Sequence, residues 1–563
     1  MSPAFPGVLH SRVRSLFILA LTASLTSLAF ASGPYVIGSS NTVTADPIIP
    51  RPKTTPCIVQ LLSNAEFDNF NPVPFSFSPP ASCPGPWAKV VFTADINVTA
   101  GVQYDRTANF WLGPTNIYFG TTAEPGATLA PSWHVESDLT DYSPIFMTSQ
   151  QGTADIGNLV NDTYTGIIYA TSALEFYPLA PGQTAPVTAN QVYALSAGLT
   201  GGTVSLNDTS STLAGTFTLP TNIQNAYLDV YAQSQSADEF WYTCVPNDVS
   251  GELFSCGNTG FRETEITIDG TPAGVAPVYP WIFTGGIDPF LWFPIPGVQT
   301  LNFVPYRVDL TPFASLLSNG QQHTVSLSVF NADDYFSATA SLLLYLDTGS
   351  TNVTGAVTKN TLTAAPNPVI TENLNVGNTI TGTVKVASQR NFTISGYVNT
   401  SKGKVTTTVT QTFNFANNQK FDITSTLFLQ DIKLTSSVDS KTIVAAAGQP
   451  TIINRRTLEF PLNMDISQVV QANGDINQTT KSWQNYGVQT TINQGRHIYA
   501  GLLNNSVAAQ DTLELDPNYN VLGNTNQSSS QFYSNFDTNG ASQLCILTAA
   551  NNVLTSFTRT CSK

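Results

Sequence analysis

HTVSLSVF, His323 to Phe330, alternates hydroxyl-bearing and aliphatic side chains and reads as a strand with one face turned inward. The same texture recurs on either side of it. GTFTLP (Gly215–Pro220), AYLDVYAQ (Ala226–Gln233), ETEITIDG (Glu263–Gly270) and ATASLLLYLD (Ala338–Asp347) all read as strands. Further upstream, WAKVVFTADINVTA (Trp87–Ala100), the runs around Phe110 and Tyr118, and TGIIYATSALEFYP (Thr165–Pro178) do the same. WHVESDLTDY (Trp133–Tyr142) looks like a strand leading into a capped turn, and Asp309-Leu310-Thr311-Pro312 like a short helix start with Thr311 as cap. Short strands recurring every ~8–12 residues predict an all-β chain with two jelly-roll-like β-sandwich domains. Their expected spans are 57–188 and 189–348. From 349 to 563 the composition turns to Thr/Asn-rich alternation, as in KVTTTVTQTFNFANNQKFDITSTLFLQ (Lys404–Gln430), which predicts a further region of exposed antiparallel strands.

A chain of 563 residues is too long for one hydrophobic core. Hydrophobic residues make up 42% and charged residues only 10%, so Thr, Asn, Ser and Gln supply most of the polar surface. That surface suits a secreted β-protein. Arg12 and Arg14 before the apolar run Leu16–Leu28, then Ala29-Phe30-Ala31, predict a signal peptide over 1–31. A polar, Pro-rich linker is expected over 32–56. No other stretch is long and apolar enough to span a bilayer, so no membrane association is expected after cleavage. The formal charge of −15 argues against a nucleic-acid partner and fits work in an acidic medium.

Six cysteines fall into three local pairs: Cys57 with Cys83, Cys244 with Cys256, and Cys545 with Cys561. In an oxidising compartment this spacing favours three short-loop disulfides, which would leave no cysteine nucleophile. Asn-x-Ser/Thr acceptors stand at Asn97, Asn161, Asn207, Asn352, Asn391, Asn399, Asn477, Asn504 and Asn526. His134, His323 and His497 are scattered without metal-ligand spacing, so no metal is expected and no cofactor is implied.

The candidate chemistry lies in GVQYDRTANFWLGP (Gly101–Pro114), where Asp105 sits beside Arg106 in an aromatic segment, and in ADEFWYTC (Ala237–Cys244), which carries Glu239. Burying a charge costs several kcal/mol unless it is paired, so Asp105–Arg106 also reads as a salt bridge at a strand end. Were a shared fold to bring the two acids together, they would be equipped to hydrolyse a stable bond without a metal.

These stretches resemble a fungal member of the acid-active peptide:N-glycanase A family, amidases that remove N-glycans from asparagine. The motifs carrying the likeness, in order, are YDRTANFWLGP with TAEP (Thr122–Pro125), WHVESDLTDY, NDTYTG (Asn161–Gly166), DEFWY (Asp238–Tyr242) and IFTGGIDPFLWFP (Ile282–Pro294). A fainter likeness, through Tyr104 onward, LPTNIQNAYL (Leu219–Leu228) and Phe261-Arg262, extends to bacterial peptide:N-glycanase F, which has two jelly rolls. The resemblance implies Asp105 as the principal catalytic aspartate and Glu239 as its partner, with no cofactor. N-glycosylated proteins or glycopeptides would be the substrates. Arg106, Arg262, Trp111 and Trp241 are then candidates for substrate contact, the arginines alternatively for ion pairs and the tryptophans for core. Two departures stand out. The expected Gly-His before DEFWY is replaced by Gln233-Ser234-Gln235-Ser236, and no third acid aligns near Asp155 to Asn158. A non-catalytic glycan-binding sandwich and a glycoside hydrolase using the same two acids are the alternatives.

Overall fold

The computed structural model describes residues 35–46 and 49–562. The proposed signal peptide lies outside the described residues. The first eight strands are β1 (Cys57–Phe67), β2 (Val73–Phe77), β3 (Trp87–Val98), β4 (Thr107–Leu112), β5 (Thr115–Thr121), β6 (Ser132–Asp138), β7 (Gln150–Ile156) and β8 (Ile168–Pro178). They form two antiparallel sheets in the orders β1-β8-β3-β6 and β2-β7-β4-β5. Those two orders are the signature of a jelly roll, in which consecutive strands alternate between facing sheets except at one hairpin, here β4–β5. Val90, Phe92, Ile96 and Phe176 from one sheet meet Phe75, Phe110, Leu112 and Ile156 from the other in a single apolar core.

The pattern repeats with one added strand. Here the elements are β9 (Gln191–Leu195), β10 (Val204–Leu206), β11 (Leu213–Thr218), β12 (Ile223–Ser234), β13 (Glu263–Ile268), β14 (Thr271–Pro277), β15 (Tyr306–Asp309), β16 (Gln322–Phe330) and β17 (Phe336–Leu346). The sheet orders β10-β17-β12-β15 and β11-β16-β13-β14 reproduce the jelly roll, and β9 pairs with β17. In β16 the aliphatic residues Val325, Leu327 and Val329 are all buried, as the alternation requires. The helix after Asp309 is one short turn, Ala314–Leu317, entered through a 3-10 turn at Thr311–Phe313. Thr311 does not cap it and neither turn has a side-chain cap; the Asp309 carboxylate accepts from Thr311 N–H at 3.0 Å just ahead of them.

Beyond residue 353 the chain forms one twelve-stranded antiparallel sheet with strands of up to 21 residues, such as Ile380–Thr400 and Gly403–Ile423. The expectation of exposed strands holds for one face only. The inner face lies on the second jelly roll, where Phe392, Ile432, Leu434 and Met464 join that roll's core. Buried Gln and Asn side chains are interspersed among them. The linker also differs from a free tether. Residues 35–46 have no strand yet lie on the long sheet, with Gly38 N–H donating to Leu554 O at 2.8 Å and Ala45 N–H to Gln531 Oε1 at 2.6 Å.

All three local cysteine pairs are disulfides: Cys57–Cys83, Cys244–Cys256 and Cys545–Cys561. None of the nine acceptor asparagines is buried.

Candidate active site

Asp105 lies two residues before β4, and the β4–β5 hairpin fixes what faces it. Thr107 pairs with Thr121, and Thr122 continues the ladder by donating its N–H to Arg106 O at 2.9 Å. One step further the chain ends of the hairpin place Glu124 beside Asp105, whose N–H donates to Glu124 Oε2 at 3.1 Å. A second acid therefore reaches Asp105 from the same hairpin.

The second jelly roll closes the site from the other side with two of its loops. The long connection between β14 and β15 runs beside β5. Thr121 N–H donates to Thr300 O at 3.0 Å and Phe303 N–H to Phe119 O at 2.9 Å, so the rolls share a backbone seam. The same connection brings Thr284 to receive Glu124 N–H at 2.8 Å. Gly285 N–H donates to Asp105 Oδ2 at 2.6 Å. A Cβ on Gly285 would overlap Glu124 Oε2 and stand 3.0 Å from Asp105 Oδ2, so only glycine lets the loop approach. Trp292 Nε1 holds the loop by donating to Gly286 O at 2.9 Å.

Glu239 arrives on the loop after β12, through two short 3-10 turns. Arg262 Nε donates to Asp238 Oδ1 at 2.8 Å, and Asp333 N–H donates to Asp238 Oδ2 at 2.6 Å. Both members of this Arg262–Asp238 pair are fully enclosed, so it is a structural clamp on the residue next to Glu239. Where a Gly-His was expected, Ser234 Oγ donates to Glu239 O at 3.4 Å and Gln233 contacts Thr107 across the seam. The long sheet grips the loop's other end. Asn417 Nδ2, Gln430 Nε2 and Gln419 Nε2 donate to the carbonyls of Tyr242, Thr243 and Cys244 at 2.8, 2.9 and 2.8 Å.

Three carboxyls thus share one half-buried space. Burial first, then the charge of Asp105, raises Glu124 to about 7, with Arg106 partly offsetting the rise. Glu239 also rises to about 7, through burial and the charges of Asp105 and Glu124. Burial pushes Asp105 up as well, against the Gly285 N–H that favours its charged form. Neither Asp105 Oδ1 nor the Glu239 carboxylate accepts a hydrogen bond from the described residues. No group of three or more His, Cys, Asp or Glu among the described residues is arranged to hold a metal ion.

The structure brings Asp105 and Glu239 together, and it does not pair Asp105 with Arg106. Arg106 lies beneath the Tyr104 ring and near Tyr164, donating Nη2 to Gln103 Oε1 at 3.1 Å. Its Nε and Nη1 have no partner among the described residues and no exposure, and burial lowers the guanidinium to about 9 against the charges of Glu124 and Tyr164, so it is placed to bear on the acids through its field rather than by touching a ligand. The four residues expected at the substrate surface are all enclosed. Arg106, Trp111, Trp241 and Arg262 are 4, 2, 0 and 2% exposed. Trp111 is covered by the Gly201 turn, and Trp241 packs against Phe415 of the long sheet. The accessible aromatics beside Asp105 are Tyr104 and Tyr164, which meet edge to face at 4.7 Å. Glu124 had a signal in the sequence, since it is the acid of TAEP. Of the stretch from Asp155 to Asn158, Asp155 ends up raised by burial on β7, and Asn158 is a buried neutral amide bonded to Phe67 O at 2.7 Å and Gly166 O at 3.1 Å.

Comparison with known proteins places the sequence in a family. The chain is 30% identical over 392 residues to peptide-N4-(N-acetyl-beta-glucosaminyl)asparagine amidase A of Prunus dulcis, covering 65% of this chain and 67% of that protein. Among solved structures, PNGF-II is similar with a TM-score of 0.36 and 13% identity, over 52% of this chain and 66% of that one. PNGase F of Flavobacterium meningosepticum is similar with a TM-score of 0.35 and 12% identity, over 52% and 97%. A model of the PNGase A C-terminal domain matches residues 383–462. The model described as peptide N-acetyl-beta-D-glucosaminyl asparaginase amidase A matches residues 47–363, more than half of the chain, and the chain belongs to that family.

Proposed function

We propose that this protein hydrolyses the side-chain amide of glycosylated asparagine in N-glycoproteins or glycopeptides, giving aspartate and a glycosylamine. The observation that carries the proposal is the cluster of Asp105, Glu124 and Glu239 at the seam: burial raises the proton affinity of all three, mutual charge adds to it at Glu124 and Glu239, and Asp105 receives from Gly285 a backbone N–H that favours its charged form. Carboxyls crowded this closely resist being charged together, so the cluster can hold one charged base beside proton-bearing acids.

In this scheme Asp105 Oδ1 takes a proton from water as the water oxygen attacks the side-chain carbonyl carbon. The resulting oxyanion accepts a hydrogen bond from neutral Glu124. Collapse breaks the carbon–nitrogen bond while neutral Glu239 gives its proton to the departing nitrogen. General acid–base assistance of this kind contributes about 10²–10⁴-fold, so positioning by the two loops supplies a large part of the remainder. The scheme needs Glu124 and Glu239 protonated, so it works on the acid side of neutrality and fades as pH rises past about 7. Three disulfides are compatible with secretion into an oxidising space.

The test is to incubate the protein with a defined glycopeptide at mildly acidic pH and identify both products by mass. Conversion of Asn to Asp with release of the intact glycan supports the amidase. A peptide retaining one sugar on Asn would mark a glycoside hydrolase, and an unchanged substrate a glycan-binding protein.

A further inference from the structure

The two loops that assemble the acid cluster also wall a second cleft, of about 700 Å³, against the long sheet. Ser236, Ala237 and Phe240, which bracket Glu239, form one side together with Ile287, two residues beyond Gly285. The hairpin around Thr424–Leu427 and the sheet residues Gln468 and Gln478 form the other. Phe240 is the shared partition, since it also lies against Gly286, the neighbour of the glycine that contacts Asp105. The acids and the cleft are therefore neighbours on either side of this ring.

The lining has a particular chemistry. In a chain of formal charge −15, no acidic or basic residue lines the cleft. Its floor is aliphatic and its rim carries hydroxyls and amides. The Ser236, Ser425 and Thr426 hydroxyls make no hydrogen bond with the described residues. Two aromatic rings stand at the mouth, Phe254 at 74% exposure and Tyr519 at 63%. Both residues hold left-handed backbone, with φ of 51° and 65°. A bulky residue in that region costs on the order of 1 kcal/mol or more, and here burial does not repay it. Strain that presents a ring to solvent beside a cleft points to a ligand for the ring.

We propose that this cleft seats the outer, uncharged part of the substrate's glycan, with Tyr519 and Phe254 stacking on sugar faces and the rim hydroxyls and amides meeting sugar hydroxyls. The inference rests on the amidase reading and extends it to glycan length. A neutral oligosaccharide alternates apolar faces with hydroxyls, as the lining does. An extended peptide would find a worse match, because the walls are a sheet face and a closed hairpin, Thr424 N–H already donating to Leu427 O, and no free strand edge.

The experiment compares two glycopeptides of identical peptide, one carrying a long neutral N-glycan and one trimmed to its first two sugars. Tyr519→Ala and Phe254→Ala should each lower kcat/KM on the long substrate by about three- to tenfold, mainly through KM, and leave the trimmed substrate unchanged. Equal losses on both substrates, or no loss on either, would overturn the proposal. A loss that follows peptide length at fixed glycan would assign the cleft to peptide and overturn it too. Binding of the free long oligosaccharide, followed by saturation-transfer NMR, separates this result from the amidase reading. If wild-type protein cleaved nothing, that reading would fall, while binding that is lost in Tyr519→Ala would still support the cleft and absence of binding would overturn it.

Discussion

The second jelly roll meets two neighbours, and it meets them by different chemistry. Toward the first roll the seam is backbone and threonine: Thr121, Thr300, Phe119 and Phe303 exchange main-chain bonds, and Thr284 bridges Thr122 and Glu124. Toward the long sheet, apolar packing is joined by amide side chains that cap loop carbonyls and by carboxyls with too few cations. Gln484 Nε2 reaches Pro280 O at 2.6 Å, Gln478 Nε2 reaches Ile287 O at 3.1 Å, and Gln527 Nε2 reaches Phe293 O at 2.8 Å. Glu263 and Glu265 share the single Arg390. Asp288 meets Asp511, each with an Oδ2 that finds no donor among the described residues. The seam sets which atoms face each other, whereas the sheet sets how firmly, and at what pH, the loops stay there.

The seam should be the harsher to break. Asp105→Asn removes the base and should cost about 10³–10⁴-fold in kcat/KM, with Glu124→Gln and Glu239→Gln each costing about 10²–10³-fold and altering the alkaline limb of the pH profile. Steady-state assays on one glycopeptide check all three, and full activity in Asp105→Asn would remove the proposed base. Gly285→Ala tests placement without touching a carboxyl. Displacing Glu124 and Asp105 by a methyl group should cost about a hundredfold in kcat. The melting temperature, followed by circular dichroism, should hardly move, because the new group enters a partly open cleft and not the core.

How far this site was legible follows from the range of the interactions involved. The strands were readable because alternation is local, and β16 shows it plainly. Their pairing was not local: β1 joins β8 and β10 joins β17, so the roll order rests on contacts across a hundred residues or more. Asp105 and Glu239 stood out as acids among aromatics. Glu124 did not, because it lies past a strand end where only the hairpin register brings it back to Asp105. The four enclosed residues were hidden by contacts that lie far off in the chain, and Trp111 shows how. Positions 108–112 of β4 are buried on both faces, by the core on one side and by the Gly201 turn and the second roll on the other, so alternation could not tell an outward tryptophan from an inward one. Arg262 likewise stood near Asp238 only once the loop had folded.

The carboxyl pairs predict a milder, pH-dependent effect at the long sheet. Asp288 is raised to about 8 by burial and the charge of Asp511, and Glu265 to about 9 by burial and the charge of Glu263. An acid whose proton affinity is higher in the folded than in the unfolded chain makes the folded state bind more protons between those two values. Stability therefore falls as pH rises from about 4 toward 8 or 9. Asp288→Asn should flatten that decline in a melting series, raising the midpoint at pH 8 relative to wild type while changing it little at pH 5. An unchanged slope would show that the Asp288–Asp511 pair does not carry a shared proton.

The smallest expected effect is the one that separates holding a loop from packing a core. Gln419 Nε2 bonds Cys244 O at 2.8 Å and Tyr242 O at 3.4 Å, and its Oε1 receives Gln430 Nε2 at 2.8 Å. Gln419→Ala leaves Cys244 O without its side-chain donor and Gln430 Nε2 with one acceptor fewer, while Tyr242 O keeps Asn417, at about 1–3 kcal/mol of stability. If the sheet's amides position Glu239, this variant should lower kcat severalfold with KM nearly constant, because the displaced group acts on the leaving nitrogen and not on substrate capture. Gln489, an exposed amide on an interior strand of the same sheet, supplies the baseline, since Gln489→Ala removes an amide that caps no loop. A loss of stability without a loss of kcat in Gln419→Ala would make the long sheet a stabiliser of the fold and leave the placement of Glu239 to the Arg262–Asp238 clamp alone.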